Sequence, residues 1–142
     1  MSLLTNRVFQ LIDTTLRGDA TQMTRLPGGL YQTMLPATAD ASQVYGIYAQ
    51  QTGLQDIQGR AGQTVMGRGM VTVQAIGPAD QSPAIVLAAD RMDALLNTLL
   101  GAAGGATVIR IVRNHELNYD ELVRDTGVLY THAGYVFEWW AQ

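Results

Sequence analysis

The hydrophobic residues near the N-terminus recur at spacings of three and four positions. This stripe consists of Leu4, Val8, Leu11, Ile12 and Leu16. The period places the apolar side chains on one face of an amphipathic helix. We therefore predict a helix over residues 4–17, and Gly18 predicts its end because glycine commonly follows the last helical residue.

A second helical stripe lies in the middle of the chain and predicts a helix over residues 83–100. Its apolar positions are Ile85, Ala89, Met92, Leu96 and Leu99. Its polar, solvent-facing side carries Asp90, Asp93 and Asn97. Ser82 followed by Pro83 predicts the start, because a serine oxygen can cap a free backbone N–H and proline suits the first helical position. The glycines from Gly101 onward predict the end.

Four other segments have the alternation or the β-branched and aromatic content expected of strands. These segments are residues 43–51, 71–75, 107–119 and 128–140. Residues 120–127 predict the turn between the last two strands. Residues 53–69 hold five glycines and few apolar residues, which predicts either a long mobile loop or a hairpin arm.

The order helix, strand, strand, helix, strand, strand predicts an α+β two-layer domain. We expect a mainly antiparallel sheet of four to five strands with two helices packed on one face. The length is typical of one domain, and no linker or repeat divides the chain. Residues 1–142 are therefore predicted to form a single domain.

Composition limits the possible chemistry. The chain has no cysteine, which excludes disulfides, thiolate metal ligands and cysteine nucleophiles. All nine basic residues are arginine, and the lack of lysine excludes a P-loop, Schiff-base chemistry and pyridoxal phosphate attachment. We expect neither an enzyme nor a cofactor.

The charge and hydropathy of the chain indicate its surroundings. The formal net charge is −3 and the arginines are scattered, whereas tight nucleic-acid binding needs clustered cations. Charged residues make up 15% of the chain, below the roughly 25% usual in soluble domains, so partners could cover part of the surface. The longest apolar run, residues 84–89, is too short for a membrane span, and the polar start does not resemble a signal peptide. We expect a soluble intracellular protein.

The histidines and acidic residues that could bind a metal are better explained by structural roles. His115 and His132 could face each other across the final hairpin, with Glu116 nearby, but a zinc site needs three or four ligands in fixed geometry. The acidic residues near the predicted turn do not have EF-hand spacing, and a charged hairpin tip that discourages strand addition explains them better. These acidic residues are Glu116, Asp120, Glu121 and Asp125. No metal site is predicted.

The C-terminal segment contains two adjacent tryptophans, Trp139 and Trp140. Adjacent side chains in a strand point to opposite faces of the sheet. One tryptophan can therefore join the core, and the other lies either under the edge of the helix layer or in a subunit interface, where tryptophan is enriched.

Two segments resemble the tail terminator proteins that cap the tail tube of long-tailed bacteriophages. The first has an amphipathic helix followed by Leu26-Pro27-Gly28-Gly29-Leu30-Tyr31 and by Pro36. The second runs from Leu117-Asn118-Tyr119-Asp120 through Arg124-Asp125-Thr126-Gly127-Val128-Leu129-Tyr130 to Tyr135-Val136-Phe137-Glu138 and is similar to the closing hairpin of that family. They cover about the first 36 and the last 36 residues, while the middle matches only in its order of loop, strand and helix.

The resemblance implies a ring of subunits, typically a hexamer, that stops growth of the tail tube and presents a docking face to the head connector. The implied partners are other copies of this chain, the tail tube protein and a head–tail connector or neck protein. The implied location is the head-proximal end of the tail in the virion, where genomic DNA passes without specific binding. The family has no catalytic residue to carry over.

Within that hypothesis we predict subunit contacts at Arg60, Met66 and Arg68 in the glycine-rich segment, because exposed arginine and methionine are enriched in interfaces. Trp139 and Trp140 complete the predicted interface. Three alternatives stay open: another head–tail joining or neck subunit, a toxin-like or regulatory binding module, and a small-molecule-binding domain. The last would use a pocket between sheet and helix that holds His132 or Tyr130.

Overall fold

Three α-helices and six β-strands make up the described part of the chain. The structure is a computed structural model that describes residues 3–58, 64–104 and 107–142. In chain order the elements are α1 (Leu3–Arg17), α2 (Ala20–Thr24), β1 (Leu30–Gln32), β2 (Tyr45–Gln58), β3 (Thr64–Pro78), α3 (Ser82–Leu96), β4 (Leu99–Ala103), β5 (Thr107–Val123) and β6 (Val128–Ala141).

The strands form one curled, mixed sheet in the order β1-β2-β3-β6-β5-β4. Only β1 runs parallel to its neighbour, and the other four pairings are antiparallel. The predicted sheet of four to five strands with two helices is therefore wrong. The three-residue β1 pairs with Gly46–Tyr48, and β4 begins with Leu99 and Leu100, which the sequence analysis assigned to the end of a helix.

The second predicted helix is correct in its body, begins within one residue of its prediction and ends earlier than predicted. The α3 helix ends at Leu96, and Thr98 turns the chain with a positive φ of 65°. Leu99 then pairs with Ile111 in the sheet. At the start, a 3₁₀ turn over Ala79–Gln81 runs directly into α3, so Ser82 already has helical backbone and its side chain caps nothing.

The first helix is confirmed, and the strands are longer than predicted. The β5 strand continues to Val123, so the turn before β6 takes only residues 124–127. Within the glycine-rich segment, β2 continues to Gln58 and β3 begins at Thr64, and the two strands are paired there. Of the two alternatives for that segment, a hairpin formed by β2 and β3 agrees with this pairing. Residues 59–63 lie outside the described residues.

The core lies between one face of the sheet and the helices α1 and α3. Its largest fully buried side chains include Trp139, Phe137, Ile109 and Ile111 from the sheet. Asp19 connects two helices, because its carboxylate accepts a hydrogen bond from the Gln22 N–H at the start of α2 and pairs with Arg91 of α3 at 2.5 Å. The Arg91 guanidinium holds the pKa of Asp19 below its usual value.

At Gly134, β6 lies too close to the backbone of β3 to leave room for a side chain. A Cβ atom at Gly134 would contact the Val73 carbonyl oxygen and would lie 2.7 Å from Gln74 Cα. Both obstacles are backbone, so no side-chain movement can relieve them.

We expect Gly134→Ala to destabilise the fold by about 3 kcal/mol or more, because overpacking against backbone forces the strands apart. Gly127 in the turn has a φ of 67° and nothing near its Cβ position, so Gly127→Ala should cost only about 1 kcal/mol. Urea unfolding of both variants provides the comparison. Equal losses would mean that the strands separate easily at Gly134.

Candidate interaction surface

The face of the sheet that points away from the helices carries apolar side chains near the C-terminal end of β6. In β5, Thr107, Ile109 and Ile111 are buried toward the core, whereas Val108 is 47% exposed on the opposite face. Leu100 and Trp140 both pair with Arg110, and directly paired residues share a face of the sheet. Leu100 is 70% exposed. This surface of Leu100, Val108, Val112 and Trp140, with the neighbouring Met66, is called the outer apolar face below.

A shallow concavity of about 600 Å³ lies on the outer apolar face. Its lining residues are Met66, Val108, Arg110, Val112, Trp140, Ala141 and Gln142. The lining combines an indole ring, a methionine and two valines with one guanidinium, that of Arg110 opposite Trp140. Such a composition is typical of the centre of a protein interface, where aromatic residues, methionine and arginine are enriched.

The two tryptophans occupy the opposite faces that their adjacency predicts. Trp139 is 1% exposed and packs in the core over Gly69, where a Cβ atom would lie 2.8 Å from its ring. Trp140 is only partly buried and lines the concavity. Of the pair, Trp140 has the surface that a second subunit could contact.

The structure brings together three of the five predicted interface residues. Arg68 of β3 and Arg110 of β5 stand directly opposite Trp140 in the sheet, one on each side. Met66 lines the same concavity. Arg68 also lies 3.7 Å from Glu138, the next residue of β6 on this face. Arg60 lies outside the described residues.

At the opposite end of the sheet, the tip of the β5–β6 hairpin extends past the end of β3, and β5 extends much farther past the end of β4. The pairing of β3 with β6 stops at Tyr130, and β4 pairs with β5 only up to Ile111. Leu122 and Leu129 stand directly opposite each other near the tip and are 58% and 43% exposed. The hairpin from Glu116 to Tyr130, here called the hairpin arm, therefore presents an apolar pair to solvent.

The arm also carries the acidic residues that the sequence analysis placed near a turn. Four carboxylates and one arginine lie between residues 116 and 127. Asp120 accepts a hydrogen bond from Thr131 at 2.7 Å across the arm, while Asp125 lies in the turn itself. The carboxylates are distributed along the arm and do not converge on one point.

His132 lies on the outer face beside the arm, and His115 is elsewhere. A β-bulge at Asn114 places His115 opposite Val136, whereas His132 is opposite Tyr119. The expectation that the two histidines face each other is therefore wrong. The rings of His132 and Tyr119 are stacked with centroids 4.4 Å apart.

The His132 side chain is largely buried and has one free acceptor within the described structure. Its Nδ1 lies 3.2 Å from Gln74 Oε1, which can only accept, so Nδ1 carries the proton of the neutral ring. Its Nε2 is buried without a hydrogen-bond partner and lies 4.0 Å from a Glu121 oxygen. Burial lowers the pKa of His132, although Glu121 and Asp120 oppose this shift. A cavity of about 250 Å³ beside it is also lined by Tyr45 and Tyr130.

In the described parts of the chain, no group of three or more His, Asp or Glu side chains could hold a metal ion. No described helix is long and apolar enough to cross a membrane.

Comparison with known proteins identifies the fold and no family. No protein-family model and no curated protein matches this chain. Several solved structures are similar; one of them has a TM-score of 0.67 and 19% sequence identity, and the match covers 99% of this chain and 97% of that chain. At this identity the likeness shows a shared fold, and that protein's name states no activity or partner.

Sequence reasoning missed two exposed residues of the outer apolar face, Leu100 and Val108. Leu100 was assigned to the end of a helix, where its exposure has no special meaning. The available signal was the run Val108-Ile109-Arg110-Ile111-Val112, in which both alternating sets contain apolar residues. A strand that is apolar on both faces needs a cover on both faces, and the helices supply only one.

Proposed function

We propose that this chain is a structural virion subunit that forms a ring, most simply a hexamer, as the tail terminator of a long-tailed bacteriophage. The ring caps the tail tube, stops its polymerisation and joins the tail to the head connector. The observation that carries this proposal is the outer apolar face, which leaves Leu100, Val108 and Trp140 in contact with water in a single subunit.

An apolar face of this kind supports association of subunits. Contiguous exposed apolar patches on soluble proteins mark interaction sites. The presence of Trp140 and Met66 beside arginines matches the residue types that carry binding energy in interfaces. The resemblance of the first and last parts of the sequence to tail terminators supplies the kind of assembly. The partners are then further copies of this chain, the tail tube protein and a connector or neck protein.

The charge of the chain suits a ring through which DNA passes. The formal net charge is −3, and no lysine is present. Phosphate binding that releases counterions needs several clustered cations. A lumen built from such subunits would let genomic DNA slide without holding it.

Disrupting this reading frame in its source phage tests the proposal directly. We expect filled heads beside detached, overlong tails in negative-stain electron micrographs of the lysate, and normal particles when the wild-type chain is supplied in trans. Tails of normal length that fail to join heads would assign the chain to the neck instead. Intact infectious virions would contradict a structural role.

A small-molecule-binding function is the second candidate, and the free acceptor of His132 favours it. The cavity beside His132 and Tyr130 lies on the outer face of the sheet, not between sheet and helix as the sequence analysis expected. His132 Nε2 and the Glu121 carboxylate both accept hydrogen bonds, so a ligand there would need donor groups. A chain that stays monomeric at every concentration and retains a bound compound in native mass spectra would support this alternative.

A further inference from the structure

We infer that the tip of the hairpin arm of one subunit docks on the outer apolar face of the next subunit. The occupant is a second copy of this chain, and the contact is between Leu122 and Leu129 on one side and the concavity beside Trp140 on the other. The inference deepens the proposed ring and rests on it, because it names the two surfaces that join the subunits.

The two surfaces lie at opposite ends of the same strand. Leu129 is near the start of β6 and Trp140 is near its end, and β6 is continuous from Val128 to Ala141. Eleven residues of extended chain span roughly 35 Å. The arm therefore cannot reach the concavity of its own subunit, and a contact between them must join different subunits.

Contacts between different patches of two identical subunits are head-to-tail. Such heterologous contacts close into rings when the rotation between neighbours allows it, whereas a two-fold dimer would use the same patch twice. An arm at one end of the sheet and a receiving surface at the other supply the two patches that a ring requires.

The concavity is large enough to receive the apolar pair of the arm. Leu122 and Leu129 form one exposed pair, and the concavity of about 600 Å³ is lined mainly by apolar side chains. Pockets from about 300 Å³ upward hold drug-sized ligands, so a pair of leucine side chains fits within it. Docking would remove from water both the leucine pair and the indole of Trp140.

The charges of the two surfaces are opposite. The arm has four carboxylates and one arginine between residues 116 and 127. The concavity has Arg110 in its lining, and this exposed side chain makes no ion pair within the described residues. Arg68 adds a second guanidinium beside Trp140, although Glu138 partly offsets it. Complementary charge fixes the register of such a contact and suppresses wrong pairings.

A crosslinking experiment tests the contact, and the chain suits it because it has no cysteine. Leu122→Cys protein is mixed with mass-tagged Val108→Cys protein and treated with a short bismaleimide, and mixed dimers are separated on a denaturing gel. The control replaces the second variant with Leu87→Cys, whose side chain on α3 is 52% exposed and lies away from the outer apolar face. All three positions are exposed, so the variants should fold, which their thermal midpoints will verify.

We expect several-fold more mixed dimer with Val108→Cys than with Leu87→Cys. Equal yields in a protein that sediments as an oligomer would overturn the docking contact and leave the ring intact. A protein that sediments as a monomer at every concentration would contradict both the contact and the proposed ring.

A charge exchange provides the second test. Arg110→Asp and Asp125→Arg should each raise the concentration needed for assembly several-fold, and the double variant should recover part of the loss. Two independent losses with no recovery would contradict the proposed pairing of the acidic tip with the concavity.

Discussion

Trp139→Ala is expected to destabilise the fold by about 4 kcal/mol, because large-to-small changes of buried aromatic residues typically cost about 3–5 kcal/mol. Trp139 is 1% exposed and is among the largest fully buried side chains. It pairs with Gly69 of β3 and Ile111 of β5, so its ring fills the core where three strands meet the helices. Typical domains have only about 5–15 kcal/mol in total, so a substantial part of the stability would be lost.

Trp140→Ala is the matched control, because it makes the same substitution at the adjacent residue. Trp140 is partly exposed on the other face of the strand, and truncation at the surface usually changes the free energy of unfolding by about 0.5 kcal/mol or less. Urea unfolding followed by far-ultraviolet circular dichroism compares the two variants in dilute, monomeric samples. Equal losses would mean that both indoles contribute to the core and that the outer face is not free for a partner.

Elements with a strong hydrophobic period were predictable from the sequence. The α1 helix is within one residue of its prediction, because Leu4, Val8, Leu11, Ile12 and Leu16 leave no other face to bury. The strand that ends in the two tryptophans was also predictable, since its β-branched and aromatic residues favour a strand and its odd-numbered residues from Thr131 to Ala141 are buried. In these segments the local pattern and the tertiary packing require the same structure.

The elements that sequence reasoning did not predict depend on pairing with a neighbouring strand or on a single turn residue. β1 is three residues long and exists because its backbone bonds to β2, which no local pattern reveals. At the end of α3, Leu96 and Leu99 continue a helical stripe. The positive φ of Thr98 breaks that stripe and sends Leu99 into the sheet. Threonine seldom adopts this conformation, so the sequence contained no clear stop signal.

The candidate surface was only partly predictable for a related reason. Methionine, arginine and tryptophan indicated an interface from their residue types alone, and Met66, Arg68 and Trp140 do lie around one concavity. Leu100 could not be added without the register of β4 on β5, which depends on the turn at Thr98, whereas Val108 could have been found from the apolar residues on both faces of β5. The protruding arm was likewise hidden, because its length is set by where β3 and β4 stop.

Trp140→Ala is expected to prevent assembly while leaving the subunit folded. Truncating an aromatic hot-spot residue at the centre of an interface costs about 2 kcal/mol or more, which raises the dissociation constant of each contact roughly 30-fold. Every subunit of a ring uses this residue in one contact, so the losses accumulate around the ring. Sedimentation velocity across a concentration series should show the wild type as an oligomer and Trp140→Ala as a monomer.

Leu87→Ala is the control for that experiment, because Leu87 is also an exposed apolar residue but lies on α3. It should assemble as the wild type does. If Trp140→Ala assembled equally well, the outer apolar face would not be the subunit interface, and the ring would need another surface. In the phage, a subunit that folds but cannot close a ring should leave tails without a cap, so the Trp140→Ala virus should produce the same overlong tails as the disrupted reading frame.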